Sequence, residues 1–412
     1  MIHITDKSKC CGCNACVQRC PKQCITMHED EEGFLYPRVD DFICIDCGLC
    51  EKICPIINQN EPRKPLHIYA AKNNNENQRL QSSSGGIFIL LAEQTIKQGG
   101  VVFGARFDNN WEVEHCYAET LEELAPLMRS KYVQSRIGNT YNEAEQFLKQ
   151  GRQVLFVGTS CQIAALHKYL RKDYDNLLAV DFICHGVPSP KVWRKYLEEI
   201  RTERNMAAGK KSVVSSSIKT MLEISDINFR AKQLEGYSWK KSGFVVQKSS
   251  VGIQNSVLLS SSLHEDIYMK AFLNNLILRP SCYSCVAKSG CSMSDITMAD
   301  FWGIGNRHPD LDDDKGVGLV MVHSDKGVVG IDALTEKISL VPMSFCDAVE
   351  NNTSFYKPVA IPPKRSIFWE DFQKNSSVIH ATSISMRQTW KGKIKRKALF
   401  FISKLYHTLF KK

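Results

Sequence analysis

Hydrophobic patterning is clearest in the middle of the chain. Ser82-Ser83-Ser84-Gly85-Gly86 precedes an apolar run from Ile87 to Ile96, which predicts a helix with a serine amino-cap. Gly99-Gly100 and the run through Ala105 read as a turn and a strand. Gln153 to Val157 has the pattern of a buried strand and ends at Gly158; helical text follows from Ile163 to Leu170, and a second apolar strand runs from Leu177 to Ile183. This is a strand–helix–strand unit with a crossover long enough for parallel pairing. Paired strands lie about 5 Å apart. Cys161 and Cys184 would then emerge side by side at the carboxyl edge of the sheet, where open α/β sheets bind ligands. Near the end of the chain Ile394, Ala398, Ile402, Leu405 and Leu409 recur at helical spacing among lysines. No run approaches the roughly eighteen apolar residues of a spanning helix.

Composition adds a redox theme. The 412 residues include 17 cysteines, and the first residues show no secretory pattern. A cytoplasmic protein is therefore expected, in which thiols signal metal or redox chemistry rather than disulfides. Residues 1–58 hold ten of the cysteines, the remaining 354 residues seven. The net charge of +9 comes from Arg387 to Lys412, with nine Lys/Arg and no acid, so the rest sums to zero. A balanced body with one basic end argues against a nucleic-acid-binding domain.

Two copies of one motif carry the strongest signal. Cys10-x2-Cys13-x2-Cys16-x3-Cys20-Pro21 is followed by Cys44-x2-Cys47-x2-Cys50-x3-Cys54-Pro55. This is the bacterial ferredoxin run for two [4Fe–4S] clusters, in which the fourth cysteine of each run crosses to the other cluster. Cys10, Cys13, Cys16 and Cys54 are thus expected at one cluster, and Cys44, Cys47, Cys50 and Cys20 at the second. Zinc takes pairs of such cysteines, whereas two quartets closed by Cys-Pro favour clusters. Cys11 and Cys24 fall outside the pattern and read as packed thiols.

Four further cysteines suggest a third site. Cys161 and Cys184 at the sheet edge, joined by Cys282 and Cys285 of Cys282-Tyr-Ser-Cys285, make four ligands for a third [4Fe–4S] cluster or a four-thiolate zinc, with Cys291 as a spare. Alternatively Cys161 is a nucleophile with His185 as its base, or a small core residue. The Ser82–Gly86 segment suits a phosphate at a helix start, or is an ordinary cap.

These residues resemble the family of coenzyme F420 hydrogenase/dehydrogenase beta subunits, which includes plant 7-hydroxymethyl chlorophyll a reductase. The matching segments are the ferredoxin module, Tyr69-Ala-Ala-Lys72, Arg79-Leu-Gln-Ser-Ser-Ser-Gly-Gly86, Ser130-Lys-Tyr-Val-Gln-Ser135, Gly158-Thr-Ser-Cys-Gln162 and Cys184-His-Gly-Val-Pro-Ser189. They continue with Asn228-Phe-Arg230, Gly236-Tyr-Ser-Trp239, Cys282-Tyr-Ser-Cys285, Ser294 to Gly303, and Lys315-Gly316. The resemblance implies FAD beside a [4Fe–4S] cluster, with electrons passing between ferredoxin-type clusters and a hydride-accepting or hydride-donating substrate. It places the flavin at Ser82, Ser83, Ser84, Gly85, Gly86, Lys131, Tyr132, Gly158, Thr159 and Gln162, with His185 and Lys131 as catalytic candidates. His185 steers the flavin or a proton, or serves the turn. A basic residue often stands shortly before the Ser-Asp-Ile-Thr segment in this family; here the nearest is Lys288.

The expected fold is an α+β ferredoxin-like module followed by an α/β body with a mixed or mostly parallel sheet. The expected parts are a ferredoxin domain at 1–58, a linker at 59–66, the family's amino-terminal region at 67–200, its carboxyl-terminal region at 201–386 and a basic tail at 387–412. The lead function is an FAD- and [4Fe–4S]-dependent oxidoreductase working with a redox protein or small hydride carrier. The alternatives are a non-catalytic electron-transfer subunit and a protein whose clusters are structural. The Ser/Lys-rich stretch 203–226 reads as a solvated loop or extra helix, and Asp310–Asp314 as a solvated turn. The tail suits an anionic membrane surface or an acidic partner, or is a terminal helix on the body.

Overall fold

A computed structural model describes residues 1–207, 223–250 and 253–387. The first 58 residues pair two short antiparallel strands, β1 (Ile25–Glu29) and β2 (Leu35–Val39), beside the one-turn helices Ala15–Arg19 and Leu49–Lys52. Thiols make up much of this interior: Cys16, Cys24 and Cys50 are buried with Ile2 and Ile25, and Cys20, Cys44 and Cys54 pack on them. So small a unit is marginal on apolar burial alone, which is where metal ligation matters.

The body follows with β3 (His67–Asn73), β4 (Val101–Phe107), β5 (Val113–Ala118), β6 (Val154–Thr159) and β7 (Leu177–Phe182). After these come β8 (Glu223–Ala231), β9 (Gly243–Ser250), β10 (Ile253–Ser262), β11 (Ile296–Asp300), β12 (Gly318–Val322) and β13 (Ile338–Pro342). Eight of the strands form one sheet in the order β13-β3-β12-β11-β7-β6-β4-β5. Strands β11, β7, β6 and β4 are mutually parallel, and every pair outside them is antiparallel. The sheet is mixed with a parallel centre, as the sequence led one to expect. Residues of β6 and β12 are buried throughout, because helices cover both faces and leave no polar side to alternate. Alternation appears instead between the two covered faces. Val101, Phe103, Val154 and Phe156 pack with Ile163 and Leu166 of the helix Ser160–Leu170, whereas Val102, Leu155 and Val157 pack with Leu90 and Leu91 of the helix Ile87–Lys97.

The Ile87–Lys97 helix begins differently from its expected form. Gly86, at φ +79°, occupies the cap position and no side chain caps the helix. The serines are engaged elsewhere: Ser82 Oγ donates to the Gln78 carbonyl at 2.8 Å, Ser84 Oγ donates to the Val317 carbonyl at 3.1 Å, and Ser83 Oγ accepts the Ser130 N–H at 2.8 Å. The helix after β6 starts at Ser160 rather than Ile163, since Thr159 and Gln162 form a reciprocal capping box.

A second sheet, β10-β9-β8, is an antiparallel meander. Its apolar face joins the helices Pro190–Ala207, Ile267–Leu273, Arg365–Asn375 and Val378–Met386 in a separate core around Trp193, Phe229 and Phe244. Strand β8 takes up residues 223–226, so this end of the Ser/Lys-rich stretch is not loop; 208–222 lie outside the described residues, as does the tail beyond 387. No helix among the described residues is long and apolar enough to cross a membrane.

The ferredoxin unit is held by residues from distant parts of the body. Arg194 pairs with Glu29 at 2.7 Å, Arg365 forks onto Glu32, and Lys191 donates to the Glu31 carbonyl at 3.0 Å. The segment 59–66 is strapped down as well: the Arg63 N–H donates to the Ser289 carbonyl and the Leu66 N–H to the Val322 carbonyl.

Candidate functional site

The parallel centre of the sheet delivers its loops to one edge. Strands β6 and β7 are neighbours, with Thr159 opposite Phe182, so the turns that follow them carry Cys161 and Cys184 out together. A 3-10 turn over Pro280–Ser284 brings Cys282 and Cys285 to the same place. The Val187 N–H points at Cys282 Sγ at 3.4 Å, and Gly186 fits because a Cβ there would meet the Cys282 Cβ at 3.3 Å. The four thiols sense one another: Cys184 feels Cys161 and Cys285, and Cys282 feels Cys184, Cys161 and Cys285. Burial pushes the Cys184 thiol up to about 12, burial also raises Cys282 and Cys285, and the neighbouring Cys11 thiol followed by burial raises Cys161. Such thiols stay protonated until a metal displaces the proton. Lys288 donates at 2.6 Å to the carbonyl of Cys184 and at 2.6 Å to that of Ser354. Cys291 is buried and senses Cys285, while its carbonyl accepts from Asn60 in the 59–66 segment.

In the ferredoxin unit, Cys16 senses Cys10 and Cys54, and Cys13 senses Cys16 and Cys54, so the thiols proposed for one cluster are gathered. On the other side the Ile2 N–H reaches Cys50 Sγ at 3.3 Å, the Asp46 N–H reaches Cys44 Sγ at 3.4 Å, and Cys47 is exposed. Cys24 is buried with its sulfur 3.4 Å from that of Cys20. Cys11 is buried between Cys13 and Cys161, at the seam between ferredoxin unit and body. Among the described residues, no three His, Cys, Asp or Glu side chains close to the spacing that holds a single metal ion, in the ferredoxin unit or the body.

Beside the body thiols a cavity of about 740 Å3 opens, within the range of small-molecule and cofactor sites. Its wall includes all of Ser82–Gly86, Lys131, Tyr132, Gly158, Thr159, Gln162, Cys184 and His185. Sequence segments far apart thus meet around one space. Gln162 is fully engaged, accepting the Thr159 N–H at 2.8 Å and donating to Ser135 at 2.9 Å. Its role is to hold the turn. His185 Nε2 lies 2.6 Å from Asn275 Oδ1, and burial lowers its pKa, so the ring is neutral at neutral pH. Lys131 donates to the carbonyls of Met128 and Arg129 at 2.7 and 3.2 Å; burial and the nearby Arg129 lower its pKa to about 7.

Several wall residues had no separate functional reading in the sequence. His115 Nε2 pairs with the Val157 carbonyl at 3.1 Å, and its buried Nδ1 has no partner. Burial lowers this histidine to about 4, so the ring is neutral, Nε2–H donates to the carbonyl, and Nδ1 is left as an acceptor on the cavity wall. A second panel joins Arg230, Asp300 and Trp302. Arg230 pairs with Asp300 at 3.0 Å and lies 5.1 Å above the Trp302 ring, which stacks on Trp239 at 5.2 Å and 3°. Asp300 also accepts Trp239 Nε1–H at 2.6 Å. Lys232, lowered to about 7 by burial, donates to the carbonyls of Arg79, Ser84 and Lys315 and so pins the serine loop. The Asp310–Asp314 run is not a merely solvated turn: Asp313 accepts a fork from Arg79, Asp312 pairs with Lys240 at 2.6 Å, and Asp314 accepts from Lys240 N–H at 2.9 Å. Carboxylates were required there to hold Arg79 behind the serine loop.

Residues 151–344 match the family model for the carboxyl terminus of the coenzyme F420 hydrogenase/dehydrogenase beta subunit, and residues 9–56 match the 4Fe-4S dicluster domain. The chain is a ferredoxin-fused member of the family of coenzyme F420 hydrogenase/dehydrogenase beta subunits. Within this beta-subunit group, a subunit of the F(420)H(2) dehydrogenase of Methanosarcina mazei is 24% identical over 198 residues, covering 45% of this chain and 55% of that protein. The coenzyme F420-dependent sulfite reductase of Methanocaldococcus jannaschii is 26% identical over 175 residues, covering 40% of this chain and 26% of that protein. The chain therefore spans about half the length of the first of these relatives and a quarter of the second. A chain of the F420-reducing [NiFe] hydrogenase complex from Methanosarcina barkeri superposes with a TM-score of 0.45 at 15% identity, over 79% of this chain and 92% of that one. The beta-subunit match spans both Cys161 and Cys285, and the dicluster match spans the eight ferredoxin cysteines.

Proposed function

We propose that this beta-subunit relative is an iron–sulfur flavoprotein oxidoreductase. In this reading electrons pass between ferredoxin clusters ligated by Cys10, Cys13, Cys16 and Cys54 and by Cys44, Cys47, Cys50 and Cys20, a third cluster on Cys161, Cys184, Cys282 and Cys285, and FAD in the large cavity. A hydride carrier such as a deazaflavin is the substrate class, and a redox protein the other electron partner. The observation that carries the reading is the cavity whose wall runs from the serine loop to Cys184, directly beside four gathered thiols. The unpartnered acceptor at His115 Nδ1 fits a ligand with N–H groups, and Lys131 fits one with negative charge. FAD, when bound, supplies conversion between single electrons and hydride pairs. The chain's own residues hold the ligand, exclude water from its inner edge and keep neutral imidazoles at His115 and His185.

Anaerobic purification of the full chain tests this. About twelve iron atoms and one flavin per chain are expected. Iron without flavin would instead support an electron-transfer subunit, a reading favoured by the relative that is itself a dehydrogenase subunit.

Lys131 gives the reading a pH signature. Its ammonium is held near 7 rather than the ordinary 10.5, so it loses its proton as pH rises through 7. Affinity for the anionic cofactor should fall about tenfold or more between about pH 6 and 8.5, the worth of one charge-assisted hydrogen bond. Lys131→Met should bind weakly and without that slope, measured by flavin fluorescence quenching. The empty protein responds oppositely. Its unfolded state binds the extra proton between about 7 and 10.5, so this lysine makes stability rise with pH across that window.

A further inference from the structure

Arg279 is fully buried, yet it meets no carboxylate among the described residues. Its Nε–H donates to the Cys10 carbonyl at 2.7 Å, and its Nη atoms donate to the Leu35 carbonyl at 2.9 Å and Gln134 Oε1 at 3.1 Å. One Nη also points at Cys10 Sγ at 3.6 Å. The guanidinium lies 4.3 Å from the Tyr36 ring centroid and 5.4 Å from that of Phe34. The loop is shaped to admit it: Gly12 has φ +69°, and a Cβ there would stand 2.7 Å from an Arg279 nitrogen. From the body side the Arg279 backbone leads directly into Cys282, whose N–H donates to the Arg279 carbonyl. A buried cation without a counter-charge is costly. The anion that fits this place is a thiolate-ligated cluster at Cys10. No arginine or lysine side chain among the described residues donates to the sulfurs of Cys44, Cys47, Cys50 or Cys20.

We propose that Arg279 is the charge partner of the inner ferredoxin cluster, resting on the reading that gives that cluster to Cys10, Cys13, Cys16 and Cys54, and that it holds this cluster at a higher reduction potential than its twin. Reduction adds one electron and no proton, so the cube and its thiolates gain a negative charge that the guanidinium and its N–H···S contact stabilise. Electrons entering at the outer cluster, where Cys47 is exposed, are drawn towards the body. Arg279 acts through the cluster and is a positioning residue.

The test is an anaerobic redox titration of the full chain with dithionite, followed by electron paramagnetic resonance, with iron counted in each preparation. The unaltered protein is expected to show two ferredoxin midpoints. In Arg279→Gln the inner cluster's reduced-to-oxidised ratio at its former midpoint should fall about tenfold or more, which is 59 mV for a one-electron couple. The outer midpoint should hold, and Arg279→Lys should restore part of the shift. Gln134→Glu sets a carboxylate against the same guanidinium and should move the same midpoint in the same direction, which decides the matter if Arg279→Gln fails to keep its clusters. Exposed Arg38→Gln is the control and should move neither. Equal midpoints in the unaltered protein overturn the proposal, as does an unshifted inner midpoint in an iron-replete variant, even if its melting temperature drops. Fewer than about eight ferredoxin irons in the unaltered protein would instead overturn the ligand assignment.

Discussion

Replacing Cys161 with serine is expected to remove about four of about twelve iron atoms while the ferredoxin pair stays loaded. The loss should be this complete because Cys161 stands at the centre of the proposed set: Cys184, Cys282 and Cys285 all sense it. A serine hydroxyl is a poor replacement for a thiolate at iron, and three remaining buried thiols, each raised by burial, have little tendency to ionise without the fourth. Cys11→Ser is the matched control. Cys11 touches Cys161 from the ferredoxin side but lies outside both ferredoxin quartets, so its iron content should be unchanged. Iron and acid-labile sulfide measured on anaerobic preparations read both outcomes. Full iron in Cys161→Ser would sink the third-cluster assignment and return Cys161 to its other readings, a packed thiol or a nucleophile.

Gly85→Ala should be the most damaging single methyl group in the body. A Cβ at Gly85 would lie 2.5 Å from the Ala71 carbonyl and 2.5 Å from the Gly318 nitrogen. Both belong to backbone inside paired strands, β3 and β12, where Gly318 stands opposite Ala71, so neither can yield as a flexible side chain would. Overpacking of this kind costs about 1–3 kcal/mol and sometimes more, and rigid neighbours place Gly85 at the upper end. For a chain of this size that corresponds to a fall in melting temperature of roughly 6–12 °C. The loop it displaces forms part of the cavity wall, so the purified variant should also lose most of its flavin. Calorimetry and the flavin-to-protein absorbance ratio report the two effects. Ser82→Ala, which gives up one hydrogen bond to Gln78, should melt within about 1–2 °C of the unaltered protein. A Gly85→Ala protein that behaves like Ser82→Ala would show that the serine loop is not wedged between these strands.

The parts that were legible in the sequence share one trait: their signal is local. The ferredoxin spacing is a loop wrapping a cube, and β6 and β7 are apolar runs bracketing a helix short enough to force them together. From those two strands followed the meeting of Cys161 and Cys184 at one edge. What was not legible depended on partners far away in sequence. The Asp310–Asp314 run reads as solvated until Arg79, more than 200 residues earlier, is seen forking onto Asp313. Arg279 reads as a residue before a proline until Cys10 and Leu35 close around it. Strands β8 to β10 carry serines and lysines along their length and lack a clean alternation, so their joint core with Trp193 shows only in three dimensions. The serine cap failed for a different reason. Three serines in a row offered cap residues to spare, but Gly86 alone adopts the left-handed turn that lets the loop approach the sheet.

The seat of the ferredoxin unit also has a place in time. Its fasteners, Arg194, Arg279 and Arg365, are all encoded downstream of it, the last more than 300 residues after Cys54. At about 5–20 residues per second a ribosome needs roughly 15–60 s to cross that interval. During it the nascent amino-terminal loops hang free of the body, with Cys10 and its neighbours open on the side that Arg279 later closes. Cluster delivery to those loops is therefore easiest while the chain is still being made, and a chain completed under iron shortage would shut its inner thiols away before they were filled.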